Sequence, residues 1–276
     1  MNPKISIILP TWKEAKYINR AIESILSQTF SDWELIIIDD GLYEEKYNEV
    51  KDFIKKDKRI ILLKNEKNLG IQKSSNKGLR EAKGEYIARI DDDEWISKDK
   101  LQKQVEFLDK NQDYVLVGTS TVIVGETGKE LVRYLLPETD KDIRRNFLWK
   151  NNFINSSMVF RKNIVINFGG YDERDDVKHV EDYELFLHLG LFGRLYNIPM
   201  YLTSYTVRIE SISANNRIKQ FKRDIKLTQK YKDGYPRYFL ALIMGYLRLF
   251  LYKIFEETLF NLDSLKYKIL KIYKGF

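Results

Sequence analysis

The chain has 276 residues, of which 43% are hydrophobic and 32% charged, and its formal net charge is +7. This length can bury a substantial core in one or two domains, and the composition is typical of a soluble globular protein. The absence of cysteine excludes disulfides, zinc–thiolate sites and cysteine nucleophiles, and the presence of only two histidines nearly excludes a multi-histidine metal site.

The positive charge is concentrated in the C-terminal region. Residues 215–276 hold fourteen lysines and arginines against five aspartates and glutamates, a balance of +9, so residues 1–214 carry −2. A basic tail on a near-neutral body points to an anionic partner, with a membrane surface and a nucleic acid as the candidates. We expect no nucleic-acid partner, because no nucleic-acid motif is recognisable and the body would repel phosphates.

The first hundred residues alternate between strand-like and helix-like segments. Four runs of strand length are rich in apolar residues: 4–10, 33–39, 59–63 and 85–91. Apolar residues recur at helical spacing between them, at 18–26, around 50–54 and at 74–82. This alternation predicts an α/β fold in which a mostly parallel sheet is covered by helices on both faces.

Polar residues follow three of these strands, at 10–12, 39–41 and 91–93. Ligands of open α/β sheets bind beyond the carboxyl ends of the strands, so we expect the three segments to meet in one crevice. There Trp12 could stack on a nucleotide base, an interaction worth on the order of 1–3 kcal/mol, and Asp39 could accept a hydrogen bond from a base or ribose. A rim or core tryptophan and a strand-end cap are the alternatives for these two residues.

The chain lacks the two common glycine-rich nucleotide motifs. Neither G-x-G-x-x-G after a strand nor G-x-x-x-x-G-K-[ST] occurs, which argues against a dinucleotide dehydrogenase and a P-loop NTPase. A nucleotide on this sheet would therefore be held by carboxylates and an aromatic ring.

Four consecutive acids, residues 91–94, follow the fourth strand. Adjacent like charges repel each other and stay together where a cation neutralises them. Carboxylate oxygens suit Mg²⁺ or Mn²⁺, which could carry a phosphate group. A solvated acidic turn is the alternative for an isolated run of this kind.

The pattern changes after Lys98. A helix is predicted at 101–108, two strands at 114–117 and 121–124, a strand at 157–160 and a helix that begins near Glu181. We divide the chain into a first half of the body (1–97), a second half (98–213) and a basic, aromatic C-terminal helical region (214–276).

The C-terminal region contains a long apolar segment at 235–255, which Arg248 and Lys253 interrupt. It is too short and too charged for a comfortable transmembrane helix. A helix lying in the membrane interface and a helix packed on the body or on a second subunit both fit the pattern. The N-terminal residues enter a strand without a signal-peptide pattern, so the expected location is cytoplasmic.

These motifs together resemble the inverting nucleotide-sugar glycosyltransferases of the GT-A fold, in particular the family 2-like bacterial group that builds cell-surface polysaccharides. The resemblance covers about residues 4–213, in the family's order and spacing. The matching segments are 5–12, 38–41, 68–71 with 76–78, 88–93, 155–161, 169–172 and 181–185.

The resemblance implies a Rossmann-like sheet and a sugar transfer from a nucleotide-sugar, with UDP expected, to a glycan or lipid-linked acceptor. Asp182 would be the catalytic base, and Asp93 would bind a Mn²⁺ or Mg²⁺ ion that bridges the diphosphate. The implied nucleotide-binding residues are Pro10, Thr11, Trp12, Glu14, Asp39, Lys73, Asn76, Asp91 and Asp92. The implied acceptor-binding residues are Gly170, Tyr171 and Glu181. The enzyme would work at the inner face of the plasma membrane, with a homo-oligomer as a further candidate assembly.

The implied chemistry is consistent with the residue types. Inversion needs one in-line displacement, in which a carboxylate activates the attacking hydroxyl and a metal stabilises the leaving diphosphate. A neighbouring carboxylate at Glu181 would raise the pKa of Asp182 toward neutrality. Without the resemblance, the same two acids would be interpreted as helix-capping residues.

Four positions depart from the family's pattern. Lys13 stands where asparagine is frequent, Leu42 and Tyr43 replace Ser-Thr, and Arg208 stands where relatives often have a metal-reaching histidine. An arginine cannot ligate a cation but could pair with the diphosphate, so we expect few protein ligands on the metal. Two alternatives remain: a non-catalytic relative that binds a nucleotide-sugar or glycan, and a nucleotidyltransferase. Against the nucleotidyltransferase, this chain has no glycine- and lysine/arginine-rich loop after Leu9, where such enzymes normally carry one.

Overall fold

The computed structural model describes residues 2–208 and 216–259. Its strands are β1 Ile5–Lys13, β2 Trp33–Leu42, β3 Ile60–Lys64, β4 Tyr86–Arg89, β5 Trp95–Ile96, β6 Tyr114–Val124, β7 Glu130–Tyr134, β8 Val159–Arg161 and β9 Arg194–Thr206. Its helices are α1 Ile18–Leu26, α2 Glu44–Lys56, α3 Ile71–Glu81, α4 Lys100–Lys110, α5 Asp140–Asn146, α6 Lys162–Asn167, α7 Glu181–Leu189, α8 Arg217–Lys230 and α9 Tyr238–Leu259. Short 3₁₀ turns lie at Asn155–Ser157 and Asp175–Val177.

All described strands belong to one sheet. Its order is β3-β2-β1-β4-β8-β6-β9-β5, with β7 beside β6. The β3-β2-β1-β4 half is parallel, as predicted, whereas β8 pairs antiparallel with both β4 and β6. The predicted α/β class is confirmed, and the two predicted halves of the body share this sheet through the β4–β8 pair.

The parallel strands are buried on both faces. Successive side chains of β1 point into different cores: Ile7 and Leu9 pack with α1, whereas Ile8 packs with Ile36 and Leu79 on the other face. Because a strand alternates its side chains, only a continuous apolar run can fill both cores. This is why these strands were visible in the sequence.

Two predictions for the second half were wrong in detail. The predicted strands at 114–117 and 121–124 form a single strand, β6, which pairs in parallel with β9 along its length. The sequence analysis did not predict β9. This strand contains Pro199 and the buried polar residue Asn197, whose amide donates to the backbone oxygens of Pro137 and Asn152. Strand propensity does not reveal a polar residue whose partners lie so far away in the chain.

The C-terminal helices α8 and α9 pack against each other and onto the body. Gly245 permits the close approach, because a Cβ atom there would lie 2.9 Å from Ile225. Arg248 ties α9 down by donating to Asp224 Oδ2 at 2.7 Å and to the backbone oxygen of Trp149. Among the described residues, no helix has the length and apolar character needed to cross a membrane.

Candidate active site

The three predicted loop segments meet at the carboxyl edge of the parallel strands. Thr11 donates a hydrogen bond to Asp92 Oδ2 at 2.7 Å, and Thr11 is also the register partner of Asp39 on β2. Gly41 lies beside Trp12, since a Cβ atom at Gly41 would be 3.5 Å from the indole ring. One crevice therefore contains residues from β1, β2 and the acidic run after β4.

The Trp12 ring is 44% exposed at this crevice. The Lys13 ammonium lies 4.0 Å from the ring centroid, within the range of a cation–π interaction. Lys13 has a φ of 56°, in the left-handed region that non-glycine residues rarely adopt. Such strain is common where a loop presents a side chain for function, and it accompanies an accessible indole here. Glu14 is also exposed, and Pro10 is buried within β1.

Asp39 and Asp40 both organise loop backbones. Asp39 Oδ1 accepts from the N–H groups of Gly41 and Leu42, at 2.9 and 2.7 Å. Asp40 accepts from Leu69 and Gly70, at 2.7 and 2.9 Å. One oxygen of Asp39 thus acts as a strand-end cap, and the predicted contact with a base would use the other.

A buried arginine fixes the first acid of the run. Arg89 is almost fully buried on β4 and donates to Asp91 Oδ1 at 2.6 Å and to Ser75 Oγ at 2.7 Å. Asn155 also donates to the Asp91 carboxylate. The sequence analysis assigned no role to Arg89, although an arginine inside an apolar strand, two residues before an acid, was a usable signal.

Asp93 is held through both its backbone and its side chain. Thr206 and Arg20 donate to its backbone oxygen at 2.5 and 3.1 Å, and Arg208 donates to Oδ2 at 2.5 Å. The guanidinium of Arg20 stacks on Trp95, with 3.6 Å between the charge centre and the ring centroid. These contacts join residues more than seventy positions apart in the chain, so they could not be predicted from local sequence patterns.

The acidic run is electrostatically strained. Burial, followed by the charge of Asp93, raises the pKa of Asp92 to about 7. Burial also raises the pKa of Asp93, while Arg208 acts in the opposite direction. Like charges in a low-dielectric site disfavour the ionised form, so this cluster favours additional positive charge.

The metal predicted at Asp93 has few protein ligands in this arrangement. Within residues 2–208 and 216–259, no group of three or more acidic, histidine or cysteine side chains could hold an ion. Asp91 is bound to Arg89 and Asp93 to Arg208. The donor set fits a cation held jointly by Asp93, water and the diphosphate, rather than by the protein alone.

Asp182 lies in the first turn of α7, directly after Glu181. Its Oδ1 accepts the N–H of Tyr183 at 2.7 Å. Burial and the charge of Asp91 raise the pKa of Asp182 to about 6. Glu181 was predicted to cause this shift, but the largest cause is burial, and the neighbouring charge that adds to it is that of Asp91.

Glu181 is itself perturbed. Burial, followed by the charge of Asp182, raises the pKa of Glu181 to about 7. Its Oε2 has no hydrogen-bond partner in the described part of the chain. Tyr171 is buried in the same neighbourhood, where burial raises the pKa of its hydroxyl and Arg89 lowers it.

Asn76 is bound to the turn at residues 170–173. Its amide donates to the backbone oxygen of Tyr171 and accepts the N–H of Tyr171, both at 2.8 Å, and it donates to Glu173. Asn76 is buried on the inner face of α3. In the structure it therefore positions the Gly170–Tyr171 turn, although it was predicted to contact the nucleotide.

Lys73 is exposed on the neighbouring surface of α3. It lines a groove of about 420 Å³ together with Gly70, Glu173 and Arg174. A role for Lys73 at the nucleotide remains a prediction.

Solved structures share this fold. S. aureus TarS 1–349 in complex with UDP-GlcNAc aligns with a TM-score of 0.64 and 20% identity, over 82% of this chain and 66% of that chain. The mannosyltransferase PcManGT from Pyrobaculum calidifontis, in complex with GDP-Man and Mn²⁺, aligns with a TM-score of 0.66 and 17% identity, over 92% and 76%. The fold is therefore of the GT-A type.

Sequence relatives point the same way. An uncharacterized glycosyltransferase of Methanocaldococcus jannaschii is 33% identical over 189 residues, which is 67% of this chain and 64% of that protein. The putative glycosyltransferase EpsE of Bacillus subtilis is 31% identical over 78% of this chain and 76% of its own length. The amylovoran biosynthesis glycosyltransferase AmsE of Erwinia amylovora is 27% identical over 80% and 83%.

A family model also matches the part of the chain that forms this crevice. The model of glycosyl transferase family 2 matches residues 6–169, more than half of the chain. That span contains Trp12, Asp39 and the whole acidic run. The chain belongs to glycosyl transferase family 2.

Proposed function

We propose that this protein is an inverting glycosyltransferase that moves a sugar from a nucleotide-sugar, with UDP as the expected nucleotide, to a hydroxyl of a glycan or lipid-linked acceptor. The observation that carries the proposal is the environment of Asp182, a buried carboxylate in the first turn of α7 whose pKa is raised to about 6 by burial and by the charge of Asp91. The complex of TarS with UDP-GlcNAc supports the donor class, and the similarity to the amylovoran biosynthesis glycosyltransferase AmsE supports the acceptor class.

The donor would be held by the first half of the body, residues 1–97. Trp12 would stack on the base and Asp39 would accept a hydrogen bond from it, with Thr11 and Glu14 on the same loop. Asp91, kept in one orientation by Arg89, would accept from the ribose hydroxyls. Pre-oriented groups of this kind lower the entropic cost of reaching the transition state.

The transfer itself would depend on residues 98–213. Asp182 accepts the proton of the acceptor hydroxyl while that oxygen attacks the anomeric carbon from the face opposite the nucleotide. The bond between the anomeric carbon and the diphosphate oxygen breaks in the same step, which inverts the configuration. A pKa of about 6 leaves Asp182 largely ionised near neutral pH and still basic enough to take the proton. A divalent cation at Asp93 would supply charge neutralisation for the leaving diphosphate.

The Gly170–Tyr171 turn and Glu181 would border the acceptor. Gly170 has a φ of 85°, and a Cβ atom there would lie 2.4 Å from Asn76 Oδ1. The turn is therefore fixed against α3 and can present a constant surface next to Asp182.

Peripheral membrane binding at the cytoplasmic face is part of the proposal. Large apolar side chains are exposed along one face of α9 and recur every three or four residues: Phe239, Ile243, Tyr246, Phe250 and Ile254. Phe239 is 78% exposed. The opposite face is packed on α8, and the C-terminal region is strongly basic, a combination that suits an interfacial helix on anionic lipid.

The test is donor hydrolysis and transfer with a panel of UDP- and GDP-sugars in the presence of Mn²⁺. We expect turnover of at least one donor, an inverted product, and a loss of about 10³-fold or more with Asp182→Asn, the scale of removing a general base and part of its orientation. Asp52→Asn, at an exposed aspartate paired with Lys55, is the matched control and should retain wild-type rates. Nucleotide-sugar binding without turnover would instead favour the non-catalytic binding protein.

A further inference from the structure

An ion pair occupies the carboxylate that was predicted to bind metal. Arg208 lies just beyond β9 and donates to Asp93 Oδ2 through one terminal nitrogen. The Arg208 side chain is 39% exposed and that of Asp93 is 15% exposed. The buried Nε of Arg208 has no hydrogen-bond partner within the described ranges. The guanidinium thus has donor capacity that Asp93 does not use.

The geometry indicates which partner of this pair can move. Thr206 and Arg20 fix the backbone oxygen of Asp93, and Arg20 is itself stacked on Trp95. Asp93 is therefore anchored on the floor of the crevice. Arg208 has a long, partly exposed side chain, and Asp93 is its one acceptor among the described residues. Arg208 is therefore the residue of the pair that can move to another partner.

The charges around the pair favour such an exchange. Asp91 is already bound to the buried Arg89, and Asp92 accepts from Thr11. A diphosphate that binds beside these acids adds negative charge. Its oxygens can accept two parallel hydrogen bonds from one guanidinium, whereas Asp93 accepts only one from Arg208. A guanidinium and a divalent cation on the same carboxylate repel each other, so the ion pair between Arg208 and Asp93 weakens binding of a cation at Asp93.

We propose that Arg208 is an exchangeable counter-ion of the donor site. It neutralises Asp93 while no donor is bound, and it transfers to the diphosphate when the nucleotide-sugar enters. Asp93 then becomes available to a divalent cation, so the cation enters with the nucleotide rather than before it. This inference rests on the proposed donor class and adds a residue and a binding order to it.

The test measures binding rather than turnover. Free Mn²⁺ is followed by electron paramagnetic resonance with the nucleotide-free protein, and UDP binding is followed by calorimetry in EDTA. We expect Arg208→Gln to bind Mn²⁺ about tenfold more tightly than wild type in the absence of UDP, because a competing cation is gone. We expect the same variant to bind UDP in EDTA about 10–100-fold more weakly, the range for a lost charged hydrogen bond.

Three controls sharpen the result. Arg133→Gln removes an exposed arginine paired with Glu130 on β7 and should match wild type in both measurements. Adding Asp93→Asn to Arg208→Gln should abolish the gain in Mn²⁺ affinity. Arg208→Lys keeps the charge without the fork and should weaken UDP less than Arg208→Gln does; it also serves if Arg208→Gln does not fold.

Two outcomes would overturn the inference. One is equal Mn²⁺ affinity of nucleotide-free wild type and Arg208→Gln, and the other is unchanged UDP affinity of Arg208→Gln in EDTA. Failure of the donor proposal has a different signature, namely no UDP binding by wild type with or without Mn²⁺. In that case the Mn²⁺ measurement on nucleotide-free protein still decides the role of Arg208.

Discussion

The turn at Gly169 and Gly170 provides a controlled test of how Asn76 positions the acceptor side of the site. The two glycines have similar positive φ values, 95° and 85°, but different surroundings. A Cβ atom at Gly169 would meet nothing within 4 Å, whereas one at Gly170 would lie 2.4 Å from Asn76 Oδ1. Alanine at either position therefore bears the same backbone strain, and only Gly170→Ala must displace the amide.

The magnitudes follow from these contacts. A left-handed conformation costs a non-glycine residue about 1–2 kcal/mol, which we expect for Gly169→Ala. Gly170→Ala additionally disrupts the two buried hydrogen bonds between Asn76 and the backbone of Tyr171. At about 1 kcal/mol each, the total for Gly170→Ala reaches about 3–4 kcal/mol.

The assay combines urea unfolding with transfer kinetics. Gly170→Ala should lower the unfolding midpoint more than Gly169→Ala and should also reduce kcat/KM, because the turn borders Asp182. In the Asn76→Ala background, the added cost of Gly170→Ala over Gly169→Ala should shrink, since the displaced amide is absent. Equal effects of the two glycine substitutions, or an undiminished difference in the Asn76→Ala background, would refute the reasoning.

The remaining predictions concern the base, the buried arginine and the membrane face. Because Asp182 must be ionised to accept a proton and its pKa is raised to about 6, kcat/KM should fall tenfold per pH unit below about pH 6; a flat profile from pH 5 to 8 would contradict this role. Arg89→Met should destabilise the protein by about 3 kcal/mol in urea unfolding, since the partly buried Asp91 carboxylate keeps its hydrogen bonds from Asn155 but loses its counter-ion. Adding Asp91→Asn to Arg89→Met should recover part of the loss. The double variant Phe239→Ser/Phe250→Ser should no longer float with vesicles that contain anionic lipid. The control Leu135→Ser, at a comparably exposed leucine outside α9, should still float. If the wild-type chain dimerises with rising concentration and the double variant does not, the α9 face binds a second copy of the chain instead.

The parallel half of the sheet was predictable because the sequence patterns that indicate it are local. The isoleucine-rich runs of β1 and β2 are required by burial on both faces, and the parallel pairing of β1, β2 and β4 places their carboxyl ends on one edge. The meeting of Thr11 with Asp92 follows from that geometry alone. The exposed indole of Trp12 also agrees with the predicted crevice, although its stacking role remains untested.

The supporting contacts were not predictable for the opposite reason. Thr206, at the end of β9, and Arg208, just beyond it, both contact Asp93. The strand β9 was not predicted, because its polar and proline residues interrupt the apolar pattern. The contact between Asn76 and the 170–173 turn was not predicted, because the motif around Asn76 indicates a polar contact without identifying its partner. Gly78 lets α3 approach Ile8 so closely that a Cβ atom would lie 2.6 Å away. Asn76 lies on another face of α3, together with Gln72, and both side chains donate to backbone oxygens of the 170–173 turn.

The distribution of charge explains why the site needs its arginines before it needs a ligand. Five carboxylates surround the crevice, at Asp91, Asp92, Asp93, Glu181 and Asp182, and burial is the leading cause of every raised pKa among them. A fully ionised set without counter-ions would be costly, since each raised pKa reports a disfavoured charge. Arg89 is locked beneath Asp91, so its charge is a fixed part of the floor, whereas Arg208 approaches from the rim. A diphosphate that binds near Asp182 adds negative charge and so disfavours the ionised form of Asp182. Positive charge that moves to the diphosphate offsets this effect, and we propose that Arg208 provides it.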